Sequence, residues 1–280
     1  MRRLLSLLIL SVLIWSAYWA WGAQKNKTRM TEWILEQRAQ LWLMDFESLD
    51  QKGYPNRFDI TLSNPSFQTS QGAIAWNGTF LQILRLSYNP NHTIIVFPPS
   101  HNFKLGEKVF HISHEKARAS VINGASQGHR TVLEITGLEV SFNGFKLGFS
   151  SAQLAILQEA EKHRAHITLS SLNGNHKTKI KNLTISGDIK TPTAQNRFPI
   201  PIINGLGAHF TNLKVSIDDK TIISDGTITV TPDLELDGHI FASQDIMTGS
   251  GPQDSHVNHI QIEDIATPFG IRVSQMPRKE

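Results

Sequence analysis

Histidine is the residue type in this sequence with the most obvious capacity for chemistry, and it occurs 12 times. Three pairs have the spacing H-x-x-H, which on a helix would place both imidazoles on one face, where they could bind one metal ion. On a β-strand, residues three positions apart point to opposite faces of the sheet. The sequence around the first pair is strand-like, and no glutamate stands inside any pair to complete a zinc-protease motif. We therefore predict no metal site, only polar residues on the exposed sides of strands, at His111/His114, His163/His166 and His256/His259.

Nucleophilic and cofactor chemistry have no better support in the sequence. The chain has no cysteine, which excludes disulfides, thiolate catalysis, zinc–thiolate sites and iron–sulfur clusters. It contains no G-x-S-x-G motif of the kind that exposes a nucleophilic serine. Gly205 and Gly207 lack the third glycine of a dinucleotide-binding loop. We predict no catalytic residue, no cofactor-binding residue and no cofactor, and hence a protein that is not an enzyme.

The charged pair Arg57 and Asp59 lies on the polar side of a predicted strand, beside a Gly-Tyr-Pro turn. The pair could recognise a ligand, or it could form an exposed salt bridge that holds the loop in place. Because surface ion pairs are common and contribute little to stability, we favour the structural interpretation. Asn91 and His92, which follow Pro90 in a predicted turn, receive the same interpretation.

The composition narrows the class of protein further. Charged residues make up 18% of the chain, and the net charge of +3 is spread along it. A nucleic-acid-binding protein would normally cluster its basic residues on one face, so we predict no nucleic-acid partner. Thr, Ser, Asn and Ile are plentiful, which favours β-structure.

An N-terminal apolar stretch sets the architecture that these residues belong to. From Leu4 to Trp21 the chain carries no charge, and its length is close to the roughly 20 residues that a membrane-spanning helix needs. The alternative is a cleaved secretory signal, but the only small pair at its end, Ala20 and Gly22, lies among tryptophans. We predict a retained anchor over residues 1–24, with the N-terminus in the cytoplasm, although basic residues flank both ends. The residues taken to contact the membrane are Leu4, Leu8, Leu13, Trp15, Trp19 and Trp21.

Residues 25–52 have the composition of a second helix, rich in helix formers from Thr28 to Lys52 and followed by Gly53 as a stop signal. Apolar residues such as Met30, Ile34 and Met44 cover a broad face of this predicted amphipathic helix. We expect that face to pack across the strands predicted between Phe80 and Phe97, or alternatively to lie on the membrane surface. The run Thr93 to Phe97 is apolar on both sides and needs cover on both.

From residue 53 to 280 the apolar period is two, which predicts a long, curved antiparallel β-meander. Phe58, Ile60 and Leu62 form the first half-buried strand, and Gly137 changes the parity of a later one, as a β-bulge would. The fold class is therefore mainly β, with a transmembrane helix and one amphipathic helix. Turn signals separate the runs at Asn123-Gly124, Asn143-Gly144, Asn173-Gly174, Asn204-Gly205, Asp225-Gly226 and Asp237-Gly238.

The stretch Gly53-Tyr54-Pro55-Asn56-Arg57-Phe58-Asp59 resembles the opening signature of the bacterial family called domain of unknown function 2125. The segment from Ala75-Trp76 to Asn91-His92 agrees with the same family, as does the pair of strands around Asp225 and Leu236. The resemblance implies an anchor in the inner membrane of a Gram-negative bacterium and a body in the periplasm. The layout is also similar to envelope proteins of the AsmA type, which are linked to lipid transport and outer-membrane assembly.

We hypothesise a non-enzymatic membrane-anchored protein whose curved sheet binds lipid, another apolar ligand or an envelope protein. A long sheet with few helices leaves apolar surface uncovered, and such surface usually marks a partner. A purely structural scaffold is the first alternative. A hydrolase of the cell envelope is the second, and it would require carboxylates or a serine–histidine contact to converge in one pocket.

Overall fold

The 280-residue chain was analysed as a computed structural model. It describes residues 2–39, 42–69, 72, 74–124, 128–159, 162–174, 180–190, 208–217, 220–222, 225–230, 236–242 and 271–275. The described residues contain one long helix, α1, from Arg2–Ala39. The strands that follow are β1 Trp42–Asp45, β2 Ser48–Lys52, β3 Asp59–Ser63, β4 Ser66–Thr69, β5 Ile74–Gly78, β6 Phe80–Leu86, β7 Asn89–Val96, β8 Ser100–Leu105, β9 Lys108–Ser113, β10 Lys116–Gly124, β11 Gly128–Phe142, β12 Phe145–Glu159, β13 Lys162–Gly174, β14 Ile180–Lys190, β15 Ala208–Ile217, β16 Lys220–Ile222, β17 Asp225–Val230, β18 Leu236–Ala242 and β19 Ile271–Gln275.

The prediction of a second, amphipathic helix at residues 25–52 is wrong. Helix α1 runs through residue 24 without interruption and ends at Ala39, and β1 and β2 occupy the segment that was predicted to complete the second helix. The apolar residues there satisfy a strand equally well, since Leu49 lies opposite Leu62 in the β2–β3 pair and Met44 opposite Phe67 in the β1–β4 pair. Pairing with two neighbouring strands overrides the helix propensity of the segment.

The prediction of a long antiparallel meander is confirmed. Its first strands are longer than β1 to β10 taken singly, because each is made of two of these elements. Each of the first five long strands consists of two elements joined across a bend, namely β1–β2, β3–β4, β5–β6, β7–β8 and β9–β10. Both halves of each long strand pair with the two halves of the next, as β3 with β6 and β4 with β5. Strands β11 and β12 are continuous over the same length. All the strand pairs in the described part of the chain are antiparallel except β18 with β19, which is parallel.

The bends align to form a crease across the sheet, and the sequence supplies the residues that bends require. Asn64 has a φ of 46° and precedes Pro65, and Pro98 stands at the β7–β8 bend. Gly137, the predicted bulge position, has a φ of 63°, and Leu138 beyond it is buried, so the predicted change of parity is confirmed. Backbone hydrogen bonds continue through the crease, for example from the amide of Asn64 to the carbonyl of Thr79 at 2.9 Å.

The crease folds the sheet toward one face, which is apolar from β2 to β14. Ile60, Leu62 and Leu81, which lie on one side of the crease, form a buried cluster against Phe67 and Trp76 from the other side. We call this face the apolar face and the opposite one the polar face. Residues paired in register on successive strands lie on this same face, namely Ile83, Ile95, Ala119, Leu133, Leu154, Ile167 and Ile185.

The turn predictions have mixed outcomes. Asn143-Gly144 forms the two-residue turn between β11 and β12, with both residues at positive φ as a type I′ hairpin requires. Asp225-Gly226 and Asp237-Gly238 lie inside the paired strands β17 and β18, so turns at those two positions are wrong. Asn204-Gly205 lies outside the described residues.

Candidate functional site

The first half of helix α1 has an apolar surface that the sheet does not cover. Leu4 is 72% exposed, Leu8 63%, Leu13 60% and Trp21 63%. In the described part of the chain, α1 is the one helix that is long and apolar enough to cross a membrane. Its second half contacts the sheet through Ala23, Asn26 and Ile34, which are buried, and through Met30, which packs against the Ile60 cluster.

Helix α1 and the loop from Gly53 to Phe58 meet in a joint made largely by aromatic residues of the helix. The indole of Trp15 donates to the carbonyl of Pro55 at 3.1 Å, and that of Trp19 donates to the carbonyl of Arg57 at 2.9 Å. The hydroxyls of Ser16 and Tyr54 are 2.9 Å apart. The predicted membrane-contact residues Trp15 and Trp19 therefore also bind the protein's own loop.

Two residues of the predicted family signature determine the shape of this joint. Gly53 has a φ of 109°, and a Cβ there would lie 2.6 Å from the carbonyl oxygen of Arg57. Phe58 is 8% exposed, and its ring packs on the helix at Gly22 and lies 6.2 Å from the ring of Trp19. The helix lies mainly on β1 and β2 and reaches β6 through Met30, which packs against the cluster that contains Leu81, so the predicted placement across the strands between Phe80 and Phe97 holds at β6 alone.

Arg57 and Asp59 form an ion pair of 3.0 Å on the polar face. Their side chains are 46% and 19% exposed, which agrees with the structural interpretation of this pair. Asn91 and His92 lie in β7, not in a turn, because the chain reverses earlier, at Ser87 and Tyr88. The joint therefore contains Gly53, Tyr54, Pro55 and Phe58, whereas Asn91 and His92 lie apart from it.

Serine–histidine contacts exist on the sheet, and their surroundings decide what they can do. The imidazole of His92 is 2.9 Å from the hydroxyl of Ser120, and that of His111 is 3.3 Å from the hydroxyl of Ser100. A nucleophilic serine also needs a group that orients the histidine and amides that are free to stabilise an oxyanion. The contact of His92 joins neighbouring strands whose amides are engaged in the ladder, and no carboxylate orients His92 among the described residues. The geometry is that of a cross-strand hydrogen bond.

The first two H-x-x-H pairs are divided between the two faces of the sheet, as predicted. His111 and His166 are exposed, whereas His114 and His163 are buried. The expectation that all these histidines lie on exposed sides is therefore wrong for His114 and His163. The third pair, His256/His259, lies outside the described residues. No three histidine or acidic side chains in the described part of the chain gather as metal ligands would.

The buried histidines lie where the desolvation of a charge is costly. The rings of His101 and His114 are 5.4 Å apart beside the crease, next to Phe97 and Trp76. Burial lowers the pKa of His101, although its hydrogen bond to the Pro98 carbonyl opposes the shift. Burial likewise lowers the pKa of His114 and of His163. A hydrogen bond with the Pro98 carbonyl opposes the lowering of the His114 pKa, whereas both ring nitrogens of His163 lack a partner among the described residues.

Among the described residues, the apolar face has a covered part and an open part, where the side chains are only half-buried. At β2, β3 and β6, helix α1 and the folded-over strands β4 and β5 cover it, so that Ile60 is 2% exposed and Leu62 1%. From β11 to β13, residues of the same register are only half-buried, although small residues such as Ala152 are buried between them. The half-buried residues of this open part are Leu133, Ile135, Leu154, Ile156, Ile167 and Leu169.

Arg85 is the charged residue that the apolar alternation of β6 places on the apolar face, after Leu81 and Ile83. Its side chain is half-buried, and burial lowers its pKa, with a further contribution from the positive charge of Arg29 on α1. Neither guanidinium forms an ion pair with any carboxylate of the described residues. Neither residue is among those predicted from the sequence, although a charge at an apolar position of a strand is a signal that identifies Arg85.

This architecture defines a mainly β protein in which one long helix covers part of the apolar face of a creased sheet. The chain belongs to the family described as "Uncharacterized protein conserved in bacteria (DUF2125)", whose model matches residues 19–243. No curated protein and no solved structure matches the chain.

Proposed function

We propose that the protein is a single-pass, membrane-anchored, non-enzymatic protein of the bacterial cell envelope that binds lipid acyl chains on the open part of its apolar face. The observation that carries the proposal is the difference between the two faces of β11 to β13. One face presents half-buried Leu and Ile in a continuous row, whereas the other presents threonine, glutamine and ion pairs such as Arg118–Glu134. An apolar face that long is characteristic of a surface that binds a partner.

The contacts of the joint support a retained anchor over a cleaved signal. A cut at the small pair Ala20 and Gly22 would remove Trp15 and Trp19, which donate hydrogen bonds to the loop, and would expose the ring of Phe58. A segment that is discarded after export has no reason to complete the core of the mature protein. We therefore propose that α1 remains in the inner membrane, with the N-terminus in the cytoplasm and the sheet in the periplasm.

The localisation is tested with reporters fused after Glu280. A reporter that is active only outside the cytoplasm should be active, and a reporter that is active only inside should be silent. The reverse pattern would overturn the orientation, and Lys25, Lys27 and Arg29 beyond the apolar stretch would then explain it through the positive-inside rule. Intact protein mass after purification tests retention, because cleavage near residue 22 would remove the mass of the apolar stretch.

Lipid binding is tested on the full chain purified in detergent, by extracting and quantifying co-purified lipid. The wild-type protein should retain lipid, and Leu154→Arg, which places a charge on the open part of the apolar face, should lose most of it. Gln153→Arg is the matched control, because the neighbouring side chain is exposed on the polar face and the added charge is the same. Absence of lipid from the wild-type protein would favour a structural scaffold instead.

A further inference from the structure

We propose that Arg29 and Arg85 bind the phosphate of an anionic phospholipid whose acyl chains lie on the apolar face, an inference that rests on the function proposed above. The ligand class follows from the combination of two guanidinium groups with a neighbouring apolar surface. Guanidinium groups bind phosphate through paired hydrogen bonds, and they are less strongly hydrated than the ammonium group of lysine.

The position of Arg85 distinguishes it from arginines that have ordinary surface roles. Arg57, Arg118 and Arg164 lie on the polar face, and each has a carboxylate within 4 Å at 3.0, 3.3 and 3.9 Å respectively. Arg85 lies on the apolar face, opposite Thr93 in the β6–β7 pair, and has no such partner in the described part of the chain. A half-buried cation beside Ile83 is costly unless an anion accompanies it.

The second cation at this place increases the need for an anion. Arg29 is on the part of α1 that crosses the apolar face, one residue before Met30, which packs against the Ile60 cluster. Met30 packs against the cluster that contains Leu81, and Leu81 and Arg85 lie on the same face of β6, which brings Arg29 close to this face. The positive charge of Arg29 repels that of Arg85 and acts with burial to lower its pKa. A phosphate between them would replace this repulsion by attraction to both groups. Polar groups are available nearby, since Asn26 donates to the side chain of Gln51 at 3.1 Å.

Arg85 lies close to the end of the apolar stretch of α1. The amide of Phe58 donates to the carbonyl of Arg85 at 2.8 Å, and the ring of Phe58 packs on Gly22, where the apolar stretch ends. The hydroxyl of Tyr18 donates to the carbonyl of Ser87, two residues beyond Arg85, at 3.4 Å. These contacts place the end of β6 that carries Arg85 beside the aromatic end of the apolar stretch.

The test uses the full chain in detergent supplemented with phosphatidylglycerol or with zwitterionic phosphatidylcholine, followed by quantification of retained lipid. The wild-type protein should prefer phosphatidylglycerol. Arg85→Gln and Arg29→Gln should each weaken its retention about tenfold, the size expected from the loss of a charge-assisted hydrogen bond. Arg118→Gln, which removes an arginine of the polar face, should leave retention unchanged. Arg85→Lys should retain an intermediate amount because it keeps the charge but loses the paired geometry.

The possible outcomes separate this inference from the proposed function. If the wild-type protein retains neither lipid, the proposed function fails. If it retains both lipids equally, and Arg85→Gln and Arg29→Gln retain as much as Arg118→Gln, acyl-chain binding stands and the headgroup site is wrong. A thermal melt of each variant shows whether folding is intact. Arg29 is exposed on the helix, so Arg29→Gln provides the answer even if Arg85→Gln fails to fold.

Discussion

The covered and open parts of the apolar face have the same strand register and similar residues, but they differ in what lies on them. At the covered part, Leu62 is 1% exposed because helix α1 and the folded-over strands cover the sheet. At the open part, Leu133 and Leu154 occupy equivalent positions and remain half-buried. An apolar strand pattern therefore specifies a face that needs cover, but it does not specify whether the protein or a ligand provides that cover.

The difference between the two parts is tested most strongly by removing one large apolar side chain from each. Phe58→Ala should lower the free energy of unfolding by about 3–5 kcal/mol, because the buried ring leaves a cavity against the helix. Leu154→Ala, at a half-buried position of the open part, should cost about 1–2 kcal/mol because less area is lost. Denaturant melts of the full chain in detergent measure both. Equal losses would show that the two parts are equally covered.

A second variant acts on the joint that holds helix α1 on the sheet. Gly53→Val should cost about 2–4 kcal/mol, because φ is 109° and the new Cβ would meet the backbone of Arg57. The same melts should show this loss together with greater protease sensitivity of the loop from residue 53 to 58. A loss below about 1 kcal/mol would mean that the joint adapts easily, and that the helix is not held by it.

The pH dependence of stability gives a smaller effect. The pKa values of His101, His114 and His163 are lowered by burial, so below the usual value of 6.5 the unfolded chain binds more protons than the folded chain. The free energy of unfolding should therefore decrease as the pH falls below about 6.5, and the contribution is fully present above it. His114→Phe should reduce the slope of this decrease, whereas Leu154→Ala, which removes no titratable group, should preserve it.

The smallest effect is expected on the polar face. Arg57→Ala should cost under about 1 kcal/mol, since the arginine side chain in the ion pair with Asp59 is 46% exposed. The melts used for Phe58→Ala apply here as well. If Arg57→Ala proves more damaging than Phe58→Ala, the pair belongs to a buried network or a binding site, and the contrast between the two faces of β3 fails.

The sequence predicts the meander well because period-two alternation reports directly which side of a strand is buried, as at Ile60 and Leu62. It also predicts the parity change at Gly137 and the division of His111 and His114 between faces. It fails at residues 42–52, where spaced apolar residues suit both a helix and a strand and the partner strands decide. The joint, the covered part of the apolar face and the neighbourhood of Arg85 depend on where α1 lies, and no local pattern contains that information.

The continuity of α1 gives the protein the mechanics of a rigid rod. The described helix has no break between its exposed apolar stretch and the segment around Met30 and Ile34 that lies on the sheet. If α1 is the proposed membrane anchor, it changes its tilt when the thickness of the bilayer changes. Because an uninterrupted helix has no hinge, the tilt is transmitted along its length, and the sheet held by the Phe58 joint rotates with it. Bilayer thickness would thereby set the angle at which the apolar face meets the membrane surface.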